Sequence, residues 1–392
     1  MRPVVVTGLG AVSPFGVGVK PYWAGLAAGA CAIRPLTLFD AAAFRCRIAA
    51  AVPESPGASP RRSRADGLAL GAAGEALDDA GLGRVERREA ALIVGAVGGG
   101  MLEAEAWYWA RAQGERVPSW AAALRSMLPG SHAGTLAHRL GLGGPRHSVV
   151  TACSSGAVAL AEAAELIADG VVDVALAGGV DAMTRLCFMG FNALKLLDPE
   201  PCRPFDRDRR GMSIGEGAAF VVLEAAERAH ARGARVYAEL AGHGMTTDAF
   251  HVTAPQPEGE GMTRAMRAAL ALAGLDPRGV GYVNAHGTAT PQNDRIEALA
   301  IARVFGEGRV LVSSNKSMIG HTMAAAGGLE AVATILALTH ELVPPTANLG
   351  TPDADVAFDC VPRVAREAAI EHAISNSFGF GGQNVTLLFR RA

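Results

Sequence analysis

Apolar and polar positions along the chain repeat in two patterns. Short, continuous apolar runs that close on a small residue read as strands buried on both faces: 3–7 (PVVVT), 91–95 (ALIVG), 147–151 (HSVVT), 173–178 (DVALAG) and 218–223 (AAFVVL). Between them, 65–80, 155–169 and 225–232 are longer, rich in Ala, Leu and Glu, and read as helices. Strands alternating with helices predict a layered α/β fold in which mixed sheets lie between helices. The Pro- and Arg-rich segments 53–64 and 198–210 read as surface loops.

The second part of the chain echoes the first. Residues 147–169 run strand, cysteine loop, small-residue helix, and strands follow at 173–179 and 218–223. Later, the strand RVLVSS, the loop NKSMIGH and the helix TMAAAGGLEAVATILAL (309–338) precede strands AISNS (373–377) and NVTLLFR (384–390). Alternating α/β chains often resemble themselves by chance, but matching order and lengths favour a duplication. The expected halves are 1–234 and 235–392.

Composition narrows the class. At 392 residues the chain exceeds a usual single domain, and half its residues are hydrophobic, enough for two core units. Its 48 glycines and few aromatics suit closely packed layers. A formal net charge of −2 lacks the basic footprint of a general nucleic-acid binder. Six cysteines, at 31, 46, 153, 187, 202 and 360, form no CxxC pair or Cys/His cluster at metal spacing, so no metal site is expected. The start, MRPVVVTGLGAVSPFG, does not read as a signal peptide, and no uninterrupted apolar run reaches membrane length. A soluble protein of the reducing cytoplasm, with no membrane partner, is the expectation.

The chemistry begins at TACSSGA, 151–157. Cys153 ends a strand and precedes a helix, where unpaired N–H groups and the helix dipole would favour a thiolate. A buried structural thiol is the competing reading of this stretch alone. Two further segments raise the odds of a site. YVNAHGTATPQND (282–294) carries His286 in a Gly-rich turn after a strand, and SSNKSMIGHTMAAAGG (313–328) places Lys316 five residues before His321. One cysteine and two histidines in like settings suggest convergent catalytic groups. The loop NSFGFGGQN (376–384) could lend a main-chain N–H to an oxyanion hole, or be a plain glycine turn.

In order, VVVTGLGAVSPFG, TACSSGA, GEGAAFVVLEAAERAHARGA, YVNAHGTATPQND, NKSMIGHTMAAAGG and SNSFGFGGQN resemble the motifs of the elongating β-ketoacyl-acyl carrier protein synthases. The resemblance spans essentially the whole chain. It implies the thiolase fold, two like halves forming a five-layered αβαβα sandwich. It further implies a nucleophile, Cys153, that takes an acyl group from a carrier protein. His286 and His321 would then promote decarboxylation of malonyl-carrier protein, and the enolate would attack the Cys153 thioester. Lys316 would support the histidines with Glu297 as its partner, and the backbone N–H groups of Cys153 and Phe380 would form an oxyanion hole. Thr288 and Thr290 would bind the pantetheine arm, while Phe378, Phe380 and Met212 would gate the acyl pocket. Arg61, Arg62, Arg64, Arg207, Arg209 and Arg210 would meet the acidic acyl carrier protein. No intrinsic cofactor is implied beyond the phosphopantetheine arm that the carrier supplies. A homodimer is implied, or a heterodimer with a chain-length subunit.

Departures touch the substrate rather than the reaction. Met212 stands where many relatives carry Phe, and Gln383 replaces a frequent Thr. Trp107, Tyr108 and Trp109 fall where the family shapes its dimer interface, though a core aromatic cluster is the plainer reading. Fatty-acid and specialised polyketide or polyene synthesis both remain open. A catalytically silent subunit would have lost the nucleophile, and Cys153, His286, His321 and Lys316 are all present. Initiating synthases pair the cysteine with one His and an Asn, and thiolases use a second Cys.

Overall fold

The computed structural model describes residues 2–54, 56, 62–115 and 124–392. The first half comprises β1 (Val4–Ser13), α1 (Val19–Ala27), α2 (Arg64–Asp79), β2 (Ala91–Ala96), α3 (Met101–Ala112), α4 (Gly130–Leu140), β3 (Arg146–Val149), α5 (Ser155–Ala168), β4 (Val174–Asp181), α6 (Arg185–Ala193) and β5 (Gly217–Ala225). The second comprises β6 (Ala238–Thr247), α7 (Glu260–Ala273), β7 (Tyr282–Asn284), α8 (Pro291–Phe305), β8 (Leu311–Ser313), α9 (Ala326–His340), β9 (His372–Gly379) and β10 (Gln383–Arg391).

These strands form one path, β8-β7-β9-β10-β6-β1-β5-β4-β2-β3. Read outward from its centre, the path is the same twice: β1-β5-β4-β2-β3 one way and β6-β10-β9-β7-β8 the other. In each direction the first two pairings are antiparallel and the last two parallel. The halves join where β1 pairs with β6 through Val5–Glu239 and Val6–Ala238. The echo in the sequence is thus a repeated topology.

Three apolar cores separate the layers. One lies between α2 and the outer face of the first sheet, another between α7, α8 and the outer face of the second. The largest surrounds α5 and α9, which pack together between the sheets. Glycine makes this closeness attainable. A Cβ on Gly156 would sit 2.7 Å from the Ala324 carbonyl oxygen, and one on Gly327 would sit 2.5 Å from the Ala157 nitrogen. The stretch Met323–His340 has the length and apolarity of a membrane span but is 83% buried inside the protein, as a central core helix is.

Three sequence expectations are corrected. The strand expected at 147–151 is β3, which sits at the open edge of the sheet with Arg146, His147 and Ser148 exposed. The segment 198–210 is a surface loop only in part, with Pro199, Glu200, Pro201, Arg207, Asp208 and Arg210 exposed. Asp198, Cys202, Phe205 and Asp206 are buried, because Phe205 donates its N–H to Asp294 and Asp206 accepts from Gly350 and Thr351. The aromatics of α3 are not a core cluster either: Tyr108 is 67% and Trp109 64% exposed.

Candidate active site

Cys153 sits on one 3-10 turn, Ala152–Ser154, between β3 and α5. Ala152 takes φ +49°, a left-handed value that costs an alanine on the order of 1–2 kcal/mol. The flanking serines hold it there. Thr151 N–H donates to Ser155 Oγ at 2.9 Å, while Ser154 and Ser155 hydroxyls donate to the carbonyls of Thr151 and Ala152 at 2.7 Å each. The small residues of TACSSGA are therefore the braces of a strained turn.

Opposite lies the β9–β10 turn. Gly379 presses its backbone on the cysteine turn so closely that a Cβ would stand 3.0 Å from the Thr151 carbonyl oxygen and 3.4 Å from the Cys153 nitrogen. Phe380 N–H is directed at the sulfur. The glycine loop is a hydrogen-bonded hairpin turn, with Gly382 N–H donating to Gly379 O at 3.1 Å. One expectation fails at the sulfur itself. Burial pushes the Cys153 thiol up to about 11, and the Lys316 charge and the Phe380 N–H only partly oppose it.

The histidines come from the other half. His286 follows β7 and His321 follows the loop after β8, and their rings meet edge to face with centroids 5.4 Å apart. Both are buried, and burial together with the Lys316 charge holds both well below the ordinary imidazole value. They are neutral at pH 7, and their neighbours select the tautomer. Met323 N–H donates to His321 Nδ1 at 3.3 Å, and the Lys316 ammonium, which can only donate, lies 3.4 Å from His286 Nδ1. Each ring consequently carries its proton on Nε2. The Nε2 of His321 is buried without a partner among the described residues, a ready hydrogen-bond donor.

Lys316 is paired with Glu330 on α9, not with Glu297. Both charges are buried, and losing one partner of such a pair costs about 3–5 kcal/mol. Glu297, on α8, instead accepts the backbone N–H groups of His286 and Gly287 at 2.8 Å each. It shapes the histidine's loop, and burial raises its carboxyl to about 7. Asp294 shapes the same loop by accepting Ala289 N–H at 3.1 Å.

Cys153, His286 and His321 share a largely apolar cavity of about 310 Å³ with Met212, Phe378 and Phe380. Thr288 and Thr290 line it as well, their hydroxyls 2.9 Å apart. The arginines divide. Arg207 and Arg210 are exposed, and Arg62 lines a basic hollow with Arg125, His138 and Arg139. Arg64 turns inward to a two-pronged pair with buried Glu216, and Arg209 is buried beside Asp353. Arg61 lies outside the described residues.

The sequence reading missed Glu330 and Asp181. Each carried a signal, a lone carboxylate in an otherwise apolar element: Glu330 in TMAAAGGLEAVATILAL and Asp181 at the end of VALAGGVD.

Two like halves in five layers, with a cysteine from one and two histidines from the other on a shared cavity, define a thiolase-like condensing protein. Models of the beta-ketoacyl synthase N-terminal and C-terminal domains match residues 1–229 and 237–350, and the chain belongs to the β-ketoacyl synthase family. It is 40% identical to a 3-oxoacyl-[acyl-carrier-protein] synthase 2 of Synechocystis sp. (strain ATCC 27184 / PCC 6803 / Kazusa), covering 100% of this chain and 98% of that one. Among solved structures, the ishigamide ketosynthase/chain length factor superposes with a TM-score of 0.93 at 37% identity, covering 100% of this chain and 99% of that one. AntDE:AntF, a type II PKS acyl-carrier protein in complex with its ketosynthase, gives 0.90 at 31% identity, with 100% and 99% covered.

Proposed function

We propose that the protein is an elongating β-ketoacyl-acyl carrier protein synthase that works by a Cys-His-His mechanism. The observation that carries this reading is the buried, unpartnered Nε2–H of His321 on the same cavity as Cys153 and His286. In the first half-reaction the Cys153 sulfur attacks the acyl thioester of a carrier protein. The carrier's thiolate leaves and takes up the cysteine proton, and the Cys153 and Phe380 N–H groups receive the transient oxyanion. In the second, malonyl-carrier protein loses its carboxylate as CO2, and the Nε2–H groups of His286 and His321 hydrogen-bond the enolate oxygen. The enolate carbon attacks the Cys153 thioester and the cysteine sulfur departs, leaving a β-ketoacyl-carrier protein two carbons longer. The Lys316–Glu330 pair holds His286 with Nδ1 as acceptor. Thr288 and Thr290 bind the pantetheine arm, and Met212, Phe378 and Phe380 bound the acyl space.

The carrier protein docks through the arginines at 62, 207 and 210, and salt weakens this association. The chain acts in the cytoplasm as a dimer. A second copy across the edge of β3 is supported by that strand's having one neighbour among the described residues, and exposed Tyr108 and Trp109 on α3 offer further apolar surface. Intact-protein mass spectrometry with saturated, unsaturated and aryl-primed acyl carriers tests the reading and sorts fatty-acid from polyene use. An acyl mass on Cys153, followed by a product two carbons longer, is expected. Product formed with Cys153 never acylated overturns it.

A further inference from the structure

Asp181 closes β4 in the nucleophile's half and is 1% exposed. Its carboxylate reaches in two directions. Oδ1 accepts the N–H of Gly98 at 2.6 Å, with those of Val97 and Gly99 at 3.3 and 3.4 Å. Oδ2 crosses to the other half and accepts the N–H of Ala324 at 2.8 Å. Ala324 belongs to the 3-10 turn Met323–Ala325 that leads into α9. Met323 in that turn has φ +57°, a left-handed conformation that a methionine holds only where its surroundings enforce it. The N–H of that same Met323 is the donor to His321 Nδ1.

From this chain of contacts we propose that Asp181 is a positioning residue for His321. It anchors the turn whose Met323 N–H keeps the imidazole with Nδ1 as acceptor and Nε2–H free for substrate. Without the Ala324 bond, the left-handed Met323 loses an anchor, and the ring loses the donor that selects its tautomer. The inference rests on the role of His321 proposed above, and it concerns the malonyl half-reaction alone. No group of the relay hydrogen-bonds the acyl-accepting sulfur, but the Asp181 charge helps to raise the Cys153 thiol.

Asp181→Asn separates the two ends of the relay. The amide oxygen stays with the three clustered N–H donors, so the Nδ2 group opposes Ala324 N–H, donor against donor. Malonyl-carrier decarboxylation by Asp181→Asn is expected to fall at least about tenfold, whereas Cys153 acylation is expected to hold or rise, because the lost charge had raised the thiol. Equal losses in both half-reactions would mean general structural damage and would overturn the proposal. An unchanged decarboxylation rate would do the same, provided that His321→Ala loses it. Retention of decarboxylation by His321→Ala would instead refute the role given to His321. Should Asp181→Asn not fold, imidazole ¹⁵N spectra of Asp181→Ser against wild type decide, with His321 assigned by its absence in His321→Ala. Protonation on Nε2 in wild type that gives way to a tautomer mixture in Asp181→Ser is expected, and the same tautomer in both, or Nδ1 protonation in wild type, overturns the proposal.

Discussion

The turn before α5 and the turn before α9 are the same device built twice. Each is a 3-10 turn entered through a left-handed non-glycine residue, Ala152 in one half and Met323 in the other. Each faces the end of a strand from the opposite half. At Ala324 that strand end is Asp181, whose carboxylate occupies the backbone N–H. At Cys153 it is Gly379, which has no side chain to offer. One copy is plugged and braces a histidine. The other is left open beside a thiol, with Phe380 N–H alongside. Duplication supplied two equivalent turns, and the side chain opposite each decided which could receive a developing negative charge.

The contrast is broken most severely at the sulfur. Cys153→Ala should lose acyl transfer by about a thousandfold or more, and adding Ala324→Cys should restore none of it, because the second turn's amide is occupied. Acyl mass on residue 324 would show the turns to be interchangeable. His321→Ala should slow condensation about a hundredfold while Cys153 still becomes acylated, and unchanged turnover with malonyl-carrier protein would remove its role. Gly379→Ala tests the open side. Crowding the Thr151 carbonyl should lower acyl transfer tenfold to a hundredfold, and an unaltered rate would show that this opening is not needed.

Two pH experiments probe smaller effects. With the thiol near 11, iodoacetamide labelling of Cys153 should rise about tenfold per pH unit from pH 7 to 9. A plateau below pH 8 would indicate a standing thiolate. Glu297 has a raised carboxyl, near 7 against an ordinary 4.5, so its contribution to stability is full below about 4.5 and is lost as pH rises through 7. The Tm of wild type should therefore decline relative to Glu297→Gln between pH 5 and 8, and parallel profiles would count against it.

Much of this was legible in the residues. Continuous apolar runs located the buried strands, and the repeated order of strand, turn and helix exposed the duplication before any pairing was known. Cys153, His286, His321 and Lys316 stood out because turns after strands carried them. What escaped depended on burial and on which half a neighbour came from. Glu297 lies near His286 in sequence and bonds its backbone, whereas the partner of Lys316 is Glu330, one turn into the next helix and across the loop. The arginines at 64 and 209, which the family resemblance set against the carrier protein, are drawn inward by Glu216 and Asp353. The thiol's raised value reflects desolvation, which composition near a helix start does not disclose.

The glycine contacts between α5 and α9 have a consequence for how such a catalyst diversifies. Backbone against backbone leaves no rotamers to rearrange, so the joint between the halves is a weld rather than a hinge. Sulfur and imidazoles, one set on each block, keep their separation whatever surrounds them. The turn carrying Phe380 is tied to the 248–252 loop by Gly381 N–H to Val252 O at 2.8 Å and Asp248 N–H to Gly382 O at 2.9 Å. Substitutions at a wall residue such as Met212 can then change which chain fits without retuning the reaction.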